Sequence, residues 1–252
     1  MVNILFKKSY QLKTFQVIPY KDLWNRKGVF TTIRVYGKFN RYILLEQHLI
    51  NFNNSLSYFS INFQLTPELI INILNKLFNK HFFYDHLLRI AVNNNIISFS
   101  LRKRPLIKKI FKGILVSYKR SNAKHKHLRY NKVLKYINSI KVNSEEIIFM
   151  KNNYILEGCT TNILCVKNKK IYSPKSGFYY GTTLFFLKKK LKDIIIKKNI
   201  TKIFLKQCDE ILLVGSGKGV VSINHIPQIM WHKKGNSMFN HLNRIYNSLM
   251  SK

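Results

Sequence analysis

Four short segments of the 252-residue chain carry side chains with chemistry to offer. KHLRYNKVL, from Lys126, places a primary amine just ahead of a helical stretch, with Arg129 and Tyr130 close behind. Such an amine can attack a carbonyl carbon and carry a proton. On so lysine-rich a chain, a lysine at a helix start also reads as a solvated one. Glu157 closes the apolar strand YILE, where a carboxylate can hold a cationic partner or sit in a turn against a lysine. Gly181-Thr182-Thr183 precedes a helical run, and a helix N-terminus offers unpaired N–H groups and partial positive charge to an anion. Ser216 and Gly217, in VGSGKG, add a hydroxyl and backbone amides. That stretch has neither the G-x-x-x-x-G-K-[ST] spacing of a P-loop nor the G-x-G-x-x-G of a dinucleotide turn. Taken alone it reads as a plain glycine turn between strands.

These residues need a scaffold, and the pattern along the chain supplies one of mixed helix and strand. GVFTTIRVYG (Gly28 to Gly37) is β-branched and bounded by glycines, and RYILL (Arg41 to Leu45) reads as its hairpin partner after a turn at residues 37–40. Side-chain alternation puts Thr32 and Arg34 on one face of that strand. Leu49, Phe52, Leu56 and Phe59 recur at helical spacing between Glu46 and Ser60. Thr66-Pro67-Glu68 then supplies an N-cap, a first-turn proline and an acid for a second helix expected to reach about His81. LLRIAV and IISFSL flank Asn93-Asn94-Asn95 as a second hairpin.

Residues 102–124 shift to a basic run with one embedded strand, GILVSY, and read as the connection between two lobes. The expected division is a small N-terminal lobe over 1–120 and a larger C-terminal lobe over 121–252. The second lobe reads as a helix from about Arg129 to Ile140, then EEIIFM, YILEG, TNILCV and IYSP as strands. A helix follows from Gly181 to about Lys198, then KIFL, EILLVG and VVSI as strands, and a last helix from about Asn236. The fold class is α+β.

Composition limits what such a chain can be. With 46% hydrophobic residues, 10 glycines and 5 prolines it has material for a core and is neither collagen-like nor linker-like. Lys+Arg 44 against Asp+Glu 10 gives a net charge of +34. The basic residues are spread from Lys7 to Lys252 among Asn, Ile, Phe and Tyr, the residues of AT-rich codons. Compositional drift therefore explains the charge better than a dedicated polyanion face, and contact with nucleic acid is expected only as non-specific attraction. Cys159, Cys165 and Cys208 show neither C-x-x-C pairing nor a nearby His at ligand spacing, so no metal site is expected and a reducing cytoplasm fits. No apolar run approaches the roughly 20 residues of a membrane span, which makes a soluble, cytoplasmic protein the expectation.

Read in order, KHLRYNKVL, EGCTTNIL, SPKSGFYYGTTLFFL and DEILLVGSGKGVVSI, preceded by GVFTTIRVYG and EQHLINFNNSL, resemble the class IV (fold type IV) pyridoxal-phosphate enzymes. That family contains branched-chain and D-amino-acid aminotransferases and 4-amino-4-deoxychorismate lyase. The resemblance implies a two-lobe fold, with a small N-terminal α/β lobe and a larger C-terminal lobe holding a barrel-like sheet, and it implies pyridoxal 5'-phosphate as cofactor. Lys126 resembles the family's Schiff-base lysine, with Lys124 as the alternative, and Tyr130 accompanies it as a cofactor contact. Glu157 stands where the family places the acid that pairs with the pyridine nitrogen. Thr182 and Thr183 resemble its phosphate-binding turn, and Ser216 and Gly217 the second phosphate contact. Thr32, Arg34 and Arg89 match substrate-binding positions, the arginines toward carboxylates. A homodimer is implied as well.

Two positions depart from the family pattern. Asn51 stands where an arginine grips the phosphate, and Leu184 replaces the arginine that commonly follows the threonine turn. Each loss of a charged hydrogen bond weakens phosphate binding by about 1.5–3 kcal/mol. Within the family, Phe30-Thr31-Thr32 and the KHL after the lysine are similar to the lyase branch, which releases pyruvate and 4-aminobenzoate for folate synthesis. An aminotransferase acting on branched-chain or D-amino acids with 2-oxoglutarate is the alternative, and a catalytically inactive basic protein that binds nucleic acid through its charge is a third reading.

Overall fold

The computed structural model describes residues 4–38, 41–79, 81–192 and 194–251. Its residues fall into two compact units: Met1–Arg104 with His125–Asn131, and Pro105–Lys124 with Lys132–Lys252.

The first unit is one six-stranded sheet with two helices. Its strands are β1 (Ile4–Gln11), β2 (Val17–Ile18), β3 (Val29–Gly37), β4 (Arg41–Tyr42), β5 (Tyr84–Val92) and β6 (Ile96–Lys103), in the order β2-β1-β6-β5-β3-β4. The helices are α1 (Leu45–Tyr58) and α2 (Pro67–Leu74). Both lay their apolar stripes on one sheet face: Leu49, Phe52 and Leu56 of α1 and Ile70 and Leu74 of α2 cluster with Ile33, Val35, Leu88, Ile90 and Phe99. Two features differ from the pattern reading. The fold opens not with a hairpin at β3 but with β1, whose mostly exposed residues include Lys7 and Lys8, which hide its strand character. And RYILL contributes only two residues to the sheet, because α1 already begins at Leu45. The expected turn falls partly on residues 39 and 40, outside the described residues. Thr66 caps α2 through Leu69 N–H as expected, but the helix stops at Leu74, short of His81.

The second unit has two five-stranded sheets. One contains β7 (Lys112–Ser117), β8 (Glu145–Lys151) and β9 (Tyr154–Gly158), with α3 (Asn131–Asn138) between β7 and β8. The other is built on β10 (Asn162–Lys167), β11 (Lys170–Pro174), β12 (Ile196–Lys198), β13 (Glu210–Gly215) and β14 (Gly219–Ser222), with α4 (Thr182–Lys190) and α5 (Lys202–Lys206) between its strands. Two-residue strands β15 (His225–Ile226) and β16 (Trp231–His232) complete the first of these sheets, and α6 (Ser237–Asn247) follows.

β10 and β13 are apolar on both faces because both faces are covered. Ile163, Cys165, Ile211 and Leu213 join Ile148, Ile155 and Trp231 on one side. Leu164, Val166, Leu212 and Val214 meet Leu184 and Leu187 of α4 and Leu242 and Tyr246 of α6 on the other. KIFL, read as a strand, is helix α5: Thr201 accepts the Phe204 N–H and starts a turn too short for any periodicity to reveal. α4 ends at Lys190, not near Lys198, and Ile196–Lys198 pairs with β11 as a parallel edge strand.

Candidate functional site

In the first unit, residues 126–128 run alongside the start of β3. Phe30 N–H donates to the Lys126 carbonyl at 3.0 Å, Leu128 N–H donates to the Gly28 carbonyl at 2.8 Å, and His127 bridges Val29. Gly28 allows this approach, since a Cβ there would lie 2.6 Å from Leu128 Cδ1, as well as 2.4 Å from the Val92 carbonyl oxygen of β5. Lys126 is half-buried, with its ammonium 5.5 Å from the centre of the Phe30 ring. Lys124, the alternative, is exposed and belongs to the second unit. Tyr130 is buried, stacked on Trp24 at 5.7 Å and edge-on to Phe30 at 5.2 Å.

Behind Phe30, β3 turns Thr31 into the core, where its hydroxyl meets His48 Nδ1 of α1 at 2.8 Å. Complete burial, assisted by the charge of Lys126, pulls the His48 pKa down to about 3. His48 is therefore neutral near pH 7 and adds no second positive charge beside the lysine. The unfolded chain binds a proton here near pH 6.5 while the fold refuses it, so stability falls as pH drops below 6.5. Between pH 6.5 and 5 the loss from this one group approaches about 1.4 kcal/mol per pH unit. Urea unfolding across that range should show the slope in the wild type and a flatter profile in His48→Phe.

Thr32 lies on the opposite face, half-buried, and its cross-strand neighbour is Arg89. Arg89 donates to the Asp22 carboxylate at 2.6 Å and to the Asp22 carbonyl at 2.7 Å, and its guanidinium carbon lies 3.7 Å from the centre of the Trp24 ring. Among the described residues its Nε has no hydrogen-bond partner, and the atom is buried. Arg34, further along the same face, is held bidentately by Asp85 at 2.8 and 3.1 Å, with Arg104 on the same carboxylate. Asn51 accepts from Gln47 on α1 at 2.9 Å.

The second unit gathers the remaining residues. Glu157, at the end of β9, receives Arg120 Nε at 2.7 Å and Nη2 at 2.8 Å, and the Tyr179 N–H at 3.0 Å. Both side chains of the ion pair are about 5% exposed. From Tyr179 the connections run on toward α4. Asn162 donates to the Tyr179 carbonyl at 2.5 Å and accepts the Gly181 N–H at 3.1 Å. Gly181 is the N-cap of α4 and leaves the first turn without a side-chain cap; a Cβ there would sit 2.6 Å from Asn162 Oδ1. Thr182 Oγ1 lies 3.2 Å from Ser216 Oγ, in the turn between β13 and β14 that also holds Gly217. Thr183 is buried, and among the described residues its hydroxyl has no partner. Leu184 points into the apolar cluster under α4, so that position has no route to an anion at the helix start.

Arg120, Asn162 and Tyr179 were not singled out by the sequence pattern. Arg120 is one cation in a basic run, and Asn162 and Tyr179 act through short contacts that no spacing announces.

The two ends of this arrangement suit pyridoxal phosphate. A carboxylate accepts about four hydrogen bonds; Glu157 takes three, which leaves room for a protonated ring nitrogen. At the other end, an uncapped helix start and the unpartnered Thr183 hydroxyl suit a phosphate.

A family model for amino-transferase class IV matches residues 28–226. The chain belongs to the amino-transferase class IV family. The family depends on pyridoxal phosphate and comprises aminotransferases and lyases, and the chain is an enzyme of that class. Among solved structures, it is similar to a protein of Legionella pneumophila assigned as a 4-amino-4-deoxychorismate lyase (18% identity, TM-score 0.74, covering 88% of this chain and 91% of that one). It is also similar to the branched-chain aminotransferase of the thermophilic archaeon Thermoproteus uzoniensis with norvaline (17%, 0.79, 97% and 95%). A third is a hypothetical aminotransferase from Mycobacterium tuberculosis in its pyridoxal-phosphate-bound form (14%, 0.77, 96% and 98%). No curated protein matches the chain in a sequence search. Among the described residues, no helix is long and apolar enough to cross a membrane.

Proposed function

We propose that the chain is a 4-amino-4-deoxychorismate lyase, releasing pyruvate and leaving 4-aminobenzoate for folate synthesis. The observation that carries this reading is the state of the β3–β5 face. Amino transfer must take a second substrate, 2-oxoglutarate, on the face that binds the first. Here Arg34 is engaged bidentately by Asp85, and the face offers a neutral Thr32 beside an Arg89 already paired with Asp22. An elimination needs no second keto acid, and a hydroxyl at Thr32 suits a neutral or leaving oxygen.

When bound, the cofactor supplies an electron sink for the carbon that carries the substrate amino group. The chain's own residues do the rest. Glu157, held by Arg120 and the Tyr179 N–H, keeps the ring nitrogen protonated. Thr182, Thr183, Ser216, Gly217 and the start of α4 hold the phosphate, and Tyr130 lines the cofactor site. The Lys126 amine takes the proton from the amino-bearing ring carbon as the neighbouring carbon–oxygen bond breaks. The three-carbon fragment leaves as the enolate, takes up the proton carried by the Lys126 amine to become pyruvate, and the ring becomes aromatic. Thr32 and, beside it, Arg89 meet the substrate in this reading. Arg34 supports that face through Asp85.

A homodimer in the cytoplasm completes the proposal, supported by the family's pairing habit. Nucleic acid enters only as a non-specific consequence of the +34 charge.

The protein loaded with pyridoxal phosphate is mixed with 4-amino-4-deoxychorismate in the absence of any keto acid, and pyruvate and 4-aminobenzoate are measured. Equimolar release of both is the expected result. Activity that appears only with an amino acid and 2-oxoglutarate would overturn the lyase reading in favour of the transferase.

A further inference from the structure

The chain has 10 acidic residues, and one of them, Glu146 on β8, is completely buried although the cofactor reading gives it no role. It shares the strand face of Ile148 and Met150, which belong to an apolar cluster. A carboxylate in such a place is costly unless it is paired and hydrogen-bonded. Glu146 is both. Oε1 accepts the Thr160 N–H at 2.7 Å and the Cys159 thiol at 3.2 Å, and the Thr160 hydroxyl lies 3.1 Å from Oε1 and 3.0 Å from Oε2. Burial and then the Glu146 charge push the Cys159 thiol up, so it remains a protonated donor. Oε2 pairs with the Lys218 ammonium. Lys218 is equally hidden, with a side chain about 5% exposed. It also donates to the Glu145 carbonyl at 3.2 Å and lies 4.8 Å from the centre of the Phe111 ring.

The partners of this pair lie in two turns. Cys159 and Thr160 lead from Glu157 into β10, while Lys218 directly follows Ser216 and Gly217 between β13 and β14. Gly158 makes room for both Thr161 and the carboxylate, since a Cβ there would lie 2.2 Å from Thr161 Oγ1 and 3.0 Å from Glu146 Oε1. The chain therefore ties the turn after its ring-nitrogen acid to the turn that carries its phosphate contact, through one buried carboxylate. We propose that Glu146 and Lys218 are positioning residues that fix the Ser216-Gly217 turn relative to Glu157 and so set the fit of the cofactor. This rests on the assignment of Glu157, Ser216 and Gly217 to cofactor binding. An ion pair in an apolar interior adds little net stability over apolar replacements, and its use is to hold one arrangement of the two turns.

The test uses Glu146→Gln/Lys218→Met, which removes both charges while the glutamine oxygen can still accept the Thr160 N–H. Thermal unfolding is measured without cofactor, followed by the affinity for pyridoxal phosphate and the 31P chemical shift of the bound phosphate. A control, Trp231→Phe, loses the bond from Trp231 Nε1 to the Cys208 carbonyl, which lies outside both turns. The expected result is a folded double variant that binds pyridoxal phosphate on the order of tenfold more weakly, as outer partners of a binding shell do, with a displaced 31P resonance. The control should keep the wild-type affinity and resonance. A folded double variant with wild-type affinity and an unmoved resonance would overturn the positioning role alone. Equal weakening in the control would overturn it as well, by assigning the effect to general destabilisation. A double variant that fails to fold would make the pair structural and would also overturn the proposal. Wild-type protein that binds no pyridoxal phosphate would overturn the cofactor assignment, and the positioning role with it.

Discussion

Arg120→Met should destabilise the protein by about 3–5 kcal/mol, because it leaves the Glu157 carboxylate buried without its cation. The two side chains are about 5% exposed and meet through two charged hydrogen bonds, so water cannot replace the guanidinium. Glu157→Gln is the complementary change. It keeps an oxygen for the Tyr179 N–H and fills the same volume, yet it removes the negative charge that would hold a proton on the ring nitrogen. Turnover is expected to fall by on the order of 10²–10³-fold, as when a preorganised electrostatic partner of the reacting system is lost. Guanidinium unfolding and steady-state rates on both variants separate the effects. Arg120→Met combined with Glu157→Gln should recover much of the lost stability and none of the activity. If instead Glu157→Gln turned over at the wild-type rate, Glu157 would be a structural acid only.

Much of the fold is legible in the chain, and the reasons are local. β3, β5 and β6 announce themselves through β-branched runs broken by glycine or asparagine, and Asn93 closes its turn by accepting from the Asn95 and Ile96 N–H groups. α1 and α2 show their buried stripes directly. The misread elements lack such marks. β1 places lysines on an exposed strand, α5 is five residues long, and β12 is an edge strand of three exposed residues. Patterns of period 2 or 3.6 need more residues, or a more consistently buried face, than these provide.

The candidate site was legible where a residue type is scarce or a turn is required. Glu157 stood out because acids are few, and Gly181-Thr182-Thr183 because it opens a helix. Arg120 did not stand out, since one arginine among 44 basic residues carries no signal. The engagement of Arg34 by Asp85 was likewise invisible, because it joins residues 51 positions apart. Glu146 and Lys218, 72 positions apart, were hidden for the same reason.

Lys126→Ala is expected to abolish turnover, with a loss of roughly 10⁴-fold or more, since the proposed mechanism makes the lysine both covalent anchor and proton carrier. The protein should still fold, because its backbone links to Phe30 do not involve the side chain. Activity is the weaker readout of this claim; covalent attachment is the direct one. The protein is incubated with pyridoxal phosphate, reduced with borohydride and digested, and the modified peptide is located by mass. A single phosphopyridoxyl group on Lys126, absent from Lys126→Ala, is the expected result. A label on Lys124 or on any other lysine, or the same label yield in Lys126→Ala, would contradict it.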